Sequence, residues 1–278
     1  MTPQQISGLV KDTDRYNLHS HTHYCDGRYP LRQMVTEAAR QDFRIWGVSP
    51  HSPVCVESPC NMSRESVPEY LAECAALRDE FADRMNVLTA MEVDFISPDF
   101  GPHIDYFQNL PLDYRIGSVH FVPTRDGVPL DCDGSVERFA SYLKDGFDND
   151  LRYVVERFFE QELTMLERGG FEVLGHFDKI AGNASAIDPE LESHGWYQAL
   201  IDDVISHAAG NGCVVEINTK ALDSRHRFYP AETLWPRLIA AGIPLAVNSD
   251  AHYTDRLDAG RPEALRILHG LTNPTNRN

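Results

Sequence analysis

Seven short apolar, β-branched runs recur along the chain, and most are separated by a stretch whose apolar residues have helical spacing. The runs are YNLHSHT from Tyr16, RIWGVSPH from Arg44, NVLTAMEVDF from Asn86, YRIGSVHF from Tyr114, FEVLGHFD from Phe171, CVVEINT from Cys213 and PLAVNSDAH from Pro244. Between them lie LRQMVTEAARQD, introduced by Pro30, and RESVPEYLAECAALRDEFADR. LRYVVERFFEQELTMLERGG and GWYQALIDDVISHAAGNG both end at glycine, and in AETLWPRLIAAG the first turn starts late because of Pro236. Such alternation predicts a parallel sheet covered by helices. No linker or low-complexity segment interrupts it, so residues 1–278 are expected to form one α/β domain, a closed or nearly closed barrel. The Asp- and Gly-rich region 123–149 reads as an elaborated loop after the fourth strand, and the tail LTNPTNRN as a frayed end.

A barrel of this kind carries its active site where strands end and the following loops begin. The polar residues gather there. His19 and His21 are two apart on the first strand and face the same way. Asp26 follows in the next loop, His51 ends the second strand, and Glu92 lies late in the third. His120, His176 and the Asp250–His252 pair end the fourth, fifth and seventh. One histidine at a strand end is ordinarily a surface or hydrogen-bonded residue. Nine imidazoles and carboxylates on one rim are different, because without cations their desolvation would be costly. Divalent ions offset that cost, hold carboxylates ionised and keep imidazoles neutral. Nine ligands exceed the three or four that one zinc-like ion takes, and with a shared carboxylate they suit three ions. The His/carboxylate mixture fits Zn, Mn or Fe alike.

Charge narrows the substrate. The formal charge is −17 with no basic run, which argues against nucleic acid as a partner. An acidic chain that handles an anion needs local positive charge, which metal ions supply. No run of about 18 apolar residues is present, so no membrane span is expected. The start, MTPQQISGLVKD, has no basic-then-apolar segment. Six scattered cysteines suggest reduced thiols, hence a cytoplasmic setting. Nothing in the sequence speaks to oligomeric state.

The motifs HSHT, SPH, MEVD, GSVH, GHFD and NSDAH resemble those of the PHP (polymerase and histidinol phosphatase) family of metal-dependent phosphoesterases. The resemblance covers nearly the whole chain. It implies a distorted (β/α)7, TIM-like barrel of the PHP type with a trinuclear metal site. By the same resemblance, His19, His21, Glu92 and Asp250 would hold one ion. Glu92, His120 and His176 would hold a second, with Glu92 bridging, and Asp26, His51 and His252 a third. Pro50 departs from the family pattern, where Asp often precedes this histidine. VEINTKALDSRHRFYP, from Val215, resembles a stretch of the histidinol-phosphatase branch. That branch implies hydrolysis of L-histidinol phosphate in histidine biosynthesis.

On this reading a hydroxide bridging two ions attacks phosphorus, and Asp250 or His252 shuttles a proton to the leaving alkoxide. Lys179, Lys220 and Arg225 are candidates to meet a small-molecule phosphate ester, with Arg227 nearby. Glu216 and Asn218, two apart at the end of strand six, are candidates to face the pocket. His23 is expected to back the site or lie on the surface, and His103, His194 and His207 match no ligand position. His226 is left as a possible reach to substrate. Asp178 either orients a ligand or caps the next helix. Rival readings are an amidohydrolase, which ordinarily has Lys on strand four where this chain has His120, and a nuclease, which the charge opposes. A binding protein with a vestigial site would be expected to have lost ligands.

Overall fold

A computed structural model of the chain describes residues 1–272. It opens with α1 (Pro3–Asp12), unforeseen from the strand pattern, whose first turn is closed by reciprocal Thr2 and Gln5 bonds. There follow β1 (Tyr16–Asn17), α2 (Leu31–Arg40), β2 (Ile45–Val48), α3 (Val67–Phe81), β3 (Asn86–Asp94), α4 (Asp105–Gln108) and β4 (Tyr114–Ser118). Next come the short strands β5 (Phe121–Pro123) and β6 (Pro129–Asp131), then α5 (Val136–Phe147) and α6 (Leu151–Arg168). The chain continues with β7 (Val173–Leu174), α7 (Ala181–Ile187), α8 (Gly195–Asn211), β8 (Val214–Asn218), α9 (Leu222–Arg225), α10 (Trp235–Ala240), β9 (Leu245–Asn248) and α11 (Arg261–Thr272).

Seven strands form one parallel sheet in the order β1-β2-β3-β4-β7-β8-β9. They correspond to the seven apolar runs, but several are short. The ends of the sheet meet through side chains as well as backbone. Asn248 Oδ1 accepts from Leu18 N (2.8 Å) and Asn17 Oδ1 accepts from Ser249 N (2.8 Å). Backbone bonding resumes at the rim, where His21 N donates to the Ala251 carbonyl (2.8 Å). Two asparagines thus stand in for ladder bonds, and the barrel is nearly closed.

Leu18, Ile45, Leu88, Tyr114, Ile116, Val173, Val214 and Ala246 pack together with Ile6 of α1, which stoppers the end where the strands begin. Outside the sheet, Phe158, Phe159, Tyr197 and Ile201 build one apolar layer, and Trp46, Tyr70, Leu77 and Met91 another. The expected loop at 123–149 is a β5–β6 hairpin followed by α5. Pro236 sits in the first turn of α10, after a short 3-10 turn at Glu232–Leu234. Of the tail expected to fray, Leu271 and Thr272 belong to α11 and the rest lies outside the described residues. No helix among the described residues is long and apolar enough to cross a membrane. All six cysteines are free.

Candidate metal centre

Only Glu92, of the nine expected ligands, lies within a strand proper. His19 and His21 follow β1, yet their chain stays extended beside Ala251 and both imidazoles turn inward, as a period of two requires. His51 follows β2 on an extension that pairs with β3, where Glu92 N donates to the Pro50 carbonyl (3.1 Å). The proline leaves that contact intact because its carbonyl, not a missing N–H, is used. His120 and His176 each stand two residues past β4 and β7. Asp26 is delivered by a loop that folds back so tightly at Gly27 that a Cβ there would overlap the His21–Thr22 backbone. Asp250 adopts φ of 49°, a left-handed conformation rare outside glycine.

These elements bring all nine side chains together. Glu92, 1% exposed, is the hub. Its Oε2 lies 3.2 Å from His19 Nε2, 3.4 Å from His21 Nε2 and 3.1 Å from His51 Nδ1. Its Oε1 lies 2.9 Å from His176 Nε2 and 3.6 Å from His120 Nε2. His21 Nε2 is 3.1 Å from both His19 Nε2 and Asp250 Oδ1. Asp26 stands 3.2 Å from His252 Nε2, 3.5 Å from His21 Nδ1 and 4.0 Å from His51 Nε2. Three groups are compact enough to hold an ion: His19, His21 and Asp250; His51, Glu92 and His120; and His21, Asp26, His51 and His252. His51 therefore stands between two groups, where the resemblance had placed it with Asp26 and His252 alone.

The electrostatics fit cations. Burial opposes charge on His19, but Glu216, Glu92 and Asp250 outweigh it and push its imidazole up to about 10. Burial likewise opposes charge on His21, and its neighbours Cys25, Asp250 and Asp26 raise it well above its ordinary value. Burial pushes His51 down to about 3 and, with His21 and Lys220, His252 down to about 4. Despite burial, Glu92 is held well below the carboxylate range by His51, His19 and His120, and Asp250 by Lys220, His19 and His21. The carboxylates around His19 and His21 thus favour positive charge there, as they would favour a bound ion. His51 Nδ1 and Asp26 Oδ1 are buried without a hydrogen-bond partner, as unused ligand atoms would be. Neutral imidazoles and ionised carboxylates are the donor set of a divalent ion, so these residues fit the group.

Above the cluster opens a cavity of about 180 Å³, lined in part by Asp26, His51, Asp133, Arg138, Lys179 and Lys220. A neighbouring cavity of about 170 Å³ includes Asn218, Lys220, Ser224, Arg225 and Tyr229. A larger one, about 460 Å³, lies at the opposite end between α1 and α11 and holds none of the clustered ligands. Lys179 Nζ sits 2.7 Å from Asp133 Oδ2 and 3.4 Å from His120 Nε2. Lys220 Nζ sits 3.1 Å from His252 Nε2 and 3.5 Å from Asp250.

Other expected contacts are placed differently. Glu216 does not face either cavity; it is fully buried beneath the cluster with Oε1 2.7 Å from His19 Nδ1. The alternation of β8 turns it into the barrel interior, below the rim. Asn218 lines the second cavity and donates to Asp250 Oδ2 (3.1 Å). Arg225 lines it too, but its guanidinium is engaged by Asn183 Oδ1 and the Gly134 carbonyl, each at 2.8 Å, and so ties the β5–β6 insertion to the rim. Asp178 neither orients a ligand nor caps a helix by its side chain. Its Oδ2 accepts from Arg227 Nη2 and Ala231 N, both at 2.9 Å, and burial pushes it up to about 6. Arg227, partly buried, is thereby taken up by a buried carboxylate. His23 and His226 are exposed. Asp94 was overlooked: its Oδ1 is 2.6 Å from His120 Nδ1. The spacing of two from Glu92 would have placed it on the same strand face. Asp133 and Arg138 arrive on the insertion, and no local signal points to them.

The PHP domain family model matches residues 17–220. The "Probable histidinol-phosphatase" of Schizosaccharomyces pombe is 26% identical over 253 residues, covering 84% of this chain and 79% of its own. A candidate histidinol phosphatase of Listeria monocytogenes has a TM-score of 0.79 at 17% identity, covering 89% of this chain and 99% of its own. The histidinol phosphate phosphatase of Lactococcus lactis, solved with Zn, L-histidinol and phosphate, has a TM-score of 0.69 at 20% identity, covering 92% and 93%. At these identities the two structures establish the shared barrel.

Proposed function

This chain belongs to the PHP domain family, and from that premise we propose that it is a metal-dependent phosphate monoester hydrolase. Its substrate is L-histidinol phosphate, cleaved to L-histidinol and inorganic phosphate. The observation that carries this reading is Glu92, whose two oxygens stand among five imidazoles drawn from four separate rim segments. The relatives' names and the zinc-, histidinol- and phosphate-bound neighbour support the substrate.

Three divalent ions, Zn, Mn or Fe, suit the ligands. His19, His21, Glu92 and Asp250 would hold one, Glu92, His120 and His176 a second, and Asp26, His51 and His252 a third. When bound, such ions supply positive charge to phosphoryl oxygens and make water a nucleophile near neutral pH. Lys179 and Lys220 flank the cavity mouth and add charge where a phosphate would enter. Asp133 steadies Lys179. Asp250, His252 and Lys220 form the group that returns a proton to the alkoxide. Lys220 Nζ, 3.1 Å from His252 Nε2 and 3.5 Å from Asp250, stands beside that pair.

A phosphate-release screen tests the proposal. Metal-loaded protein should hydrolyse L-histidinol phosphate with kcat/KM well above that for p-nitrophenyl phosphate and other small monoesters. Faster trimming of single-stranded oligonucleotide at physiological salt would sink it.

A further inference from the structure

The clustered imidazoles differ in what stands behind them. His19 Nδ1 lies 2.7 Å from Glu216 Oε1, and His120 Nδ1 lies 2.6 Å from Asp94 Oδ1. Both carboxylates are fully buried. Glu216 accepts three further N–H groups, from His176 N (3.2 Å), Asn218 Nδ2 (3.2 Å) and Asn248 Nδ2 (3.0 Å). Asp94 Oδ2 accepts from Asn61 Nδ2 (2.9 Å). An ionised carboxylate only accepts. Each imidazole must therefore keep a proton on Nδ1, so that when an ion binds it is Nε2, turned toward the cluster, that gives up its proton and ligates.

The mouth of the site is built otherwise. The ring nitrogens of His51 face Glu92 and Asp26, and Nδ1 has no hydrogen bond. His252 Nδ1 rests on a backbone carbonyl, that of Asp250 (2.9 Å), and the Asp26 side chain is 29% exposed. No carboxylate outside the ligand set backs either histidine by a hydrogen bond among the described residues.

We propose that Glu216 and Asp94 are positioning carboxylates that fix His19 and His120 as Nε2 ligands, so that the ions they back are retained while the ion at Asp26, His51 and His252 exchanges. The inference rests on the metal-dependent reading above. Its physical basis is that a carboxylate behind a ligating imidazole fixes the tautomer and raises ligand basicity, and its loss costs roughly 10–100-fold in metal affinity. Water reaches Asp26, whereas it does not reach Glu216 or Asp94.

The test loads the full chain with Zn, dialyses it against graded chelator, and counts ions per chain by mass spectrometry. Circular dichroism and melting of the ion-free protein report the fold separately. The native chain should release one ion at chelator strengths that leave the rest. Glu216→Gln and Asp94→Asn should loosen the retained ions by about 10–100-fold. Glu162→Gln, at a buried carboxylate on α6 outside the cluster, should leave retention native. A merely structural role would lower the melting temperature of ion-free and loaded forms alike and leave ion affinity unmoved. If Glu216→Gln fails to fold, Asp94→Asn carries the test. Native retention in a folded Asp94→Asn chain, or release of all ions in one step from the native protein, overturns the inference. A native chain that binds no ions overturns the metal-dependent reading itself, which is a separate outcome.

Discussion

Replacing Glu92 by Gln keeps its shape and removes its charge, and the geometry says how much should be lost. Glu92 is 1% exposed and lies 2.9–3.6 Å from five imidazole nitrogens. Removing one partner from a buried charged assembly costs about 3–5 kcal/mol. At about 1.36 kcal/mol per decade that is roughly two to four decades of ion affinity, and of the activity that depends on it. Asp26 makes a smaller set of contacts, to His252, His21 and His51 at 3.2, 3.5 and 4.0 Å, and is 29% exposed. A hydrogen bond to a charged group is worth about 1.5–3 kcal/mol, and exposure moves Asp26 to the low end. Asp26→Asn should therefore cost about one decade. The assay is kcat/KM for phosphate release at one fixed metal concentration below that which saturates the native chain, with ions per chain measured alongside and circular dichroism confirming the fold. Equal losses, or a larger loss in Asp26→Asn, would refute Glu92 as the shared ligand.

Two further predictions concern protons. Both oxygens of Glu162 are buried without a hydrogen-bond partner, and burial, aided by Asp178, raises its carboxyl well above its ordinary value. The folded chain thus keeps a proton that the unfolded chain releases above about pH 4.3, so stability falls as pH rises, by up to about 1.4 kcal/mol per unit. Glu162→Leu should melt higher than the native chain by a margin that grows between about pH 5 and 6.5, and a margin independent of pH would refute this. The second prediction concerns loading. The ion-free cluster holds protons on His19 and His21, which an ion must displace. Ion affinity should rise with pH, up to about tenfold per unit for each proton released. Calorimetry in two buffers of different ionisation heat counts those protons, and a count of zero would contradict the assignment.

The strand–helix alternation, the glycine pair after α6 and the nine rim residues were all legible along the chain, because each depends on local periodicity or on the place where a strand stops. His19 and His21 share a face for the same reason. What the sequence could not convey is direction at the rim and pairing across it. β1 has two residues in the ladder, and the barrel closes through Asn17 and Asn248, more than two hundred positions apart. Glu216 looked available to substrate because its spacing from Asn218 permits one shared face. Only the height of β8 in the barrel decided that this face lies under His19, 197 positions away. Lys179 meets Asp133 because an insertion folds back over the mouth. Periodicity fixes which residues share a side of a strand, while the register of one strand against another decides what that side touches, and register is a property of the assembled sheet.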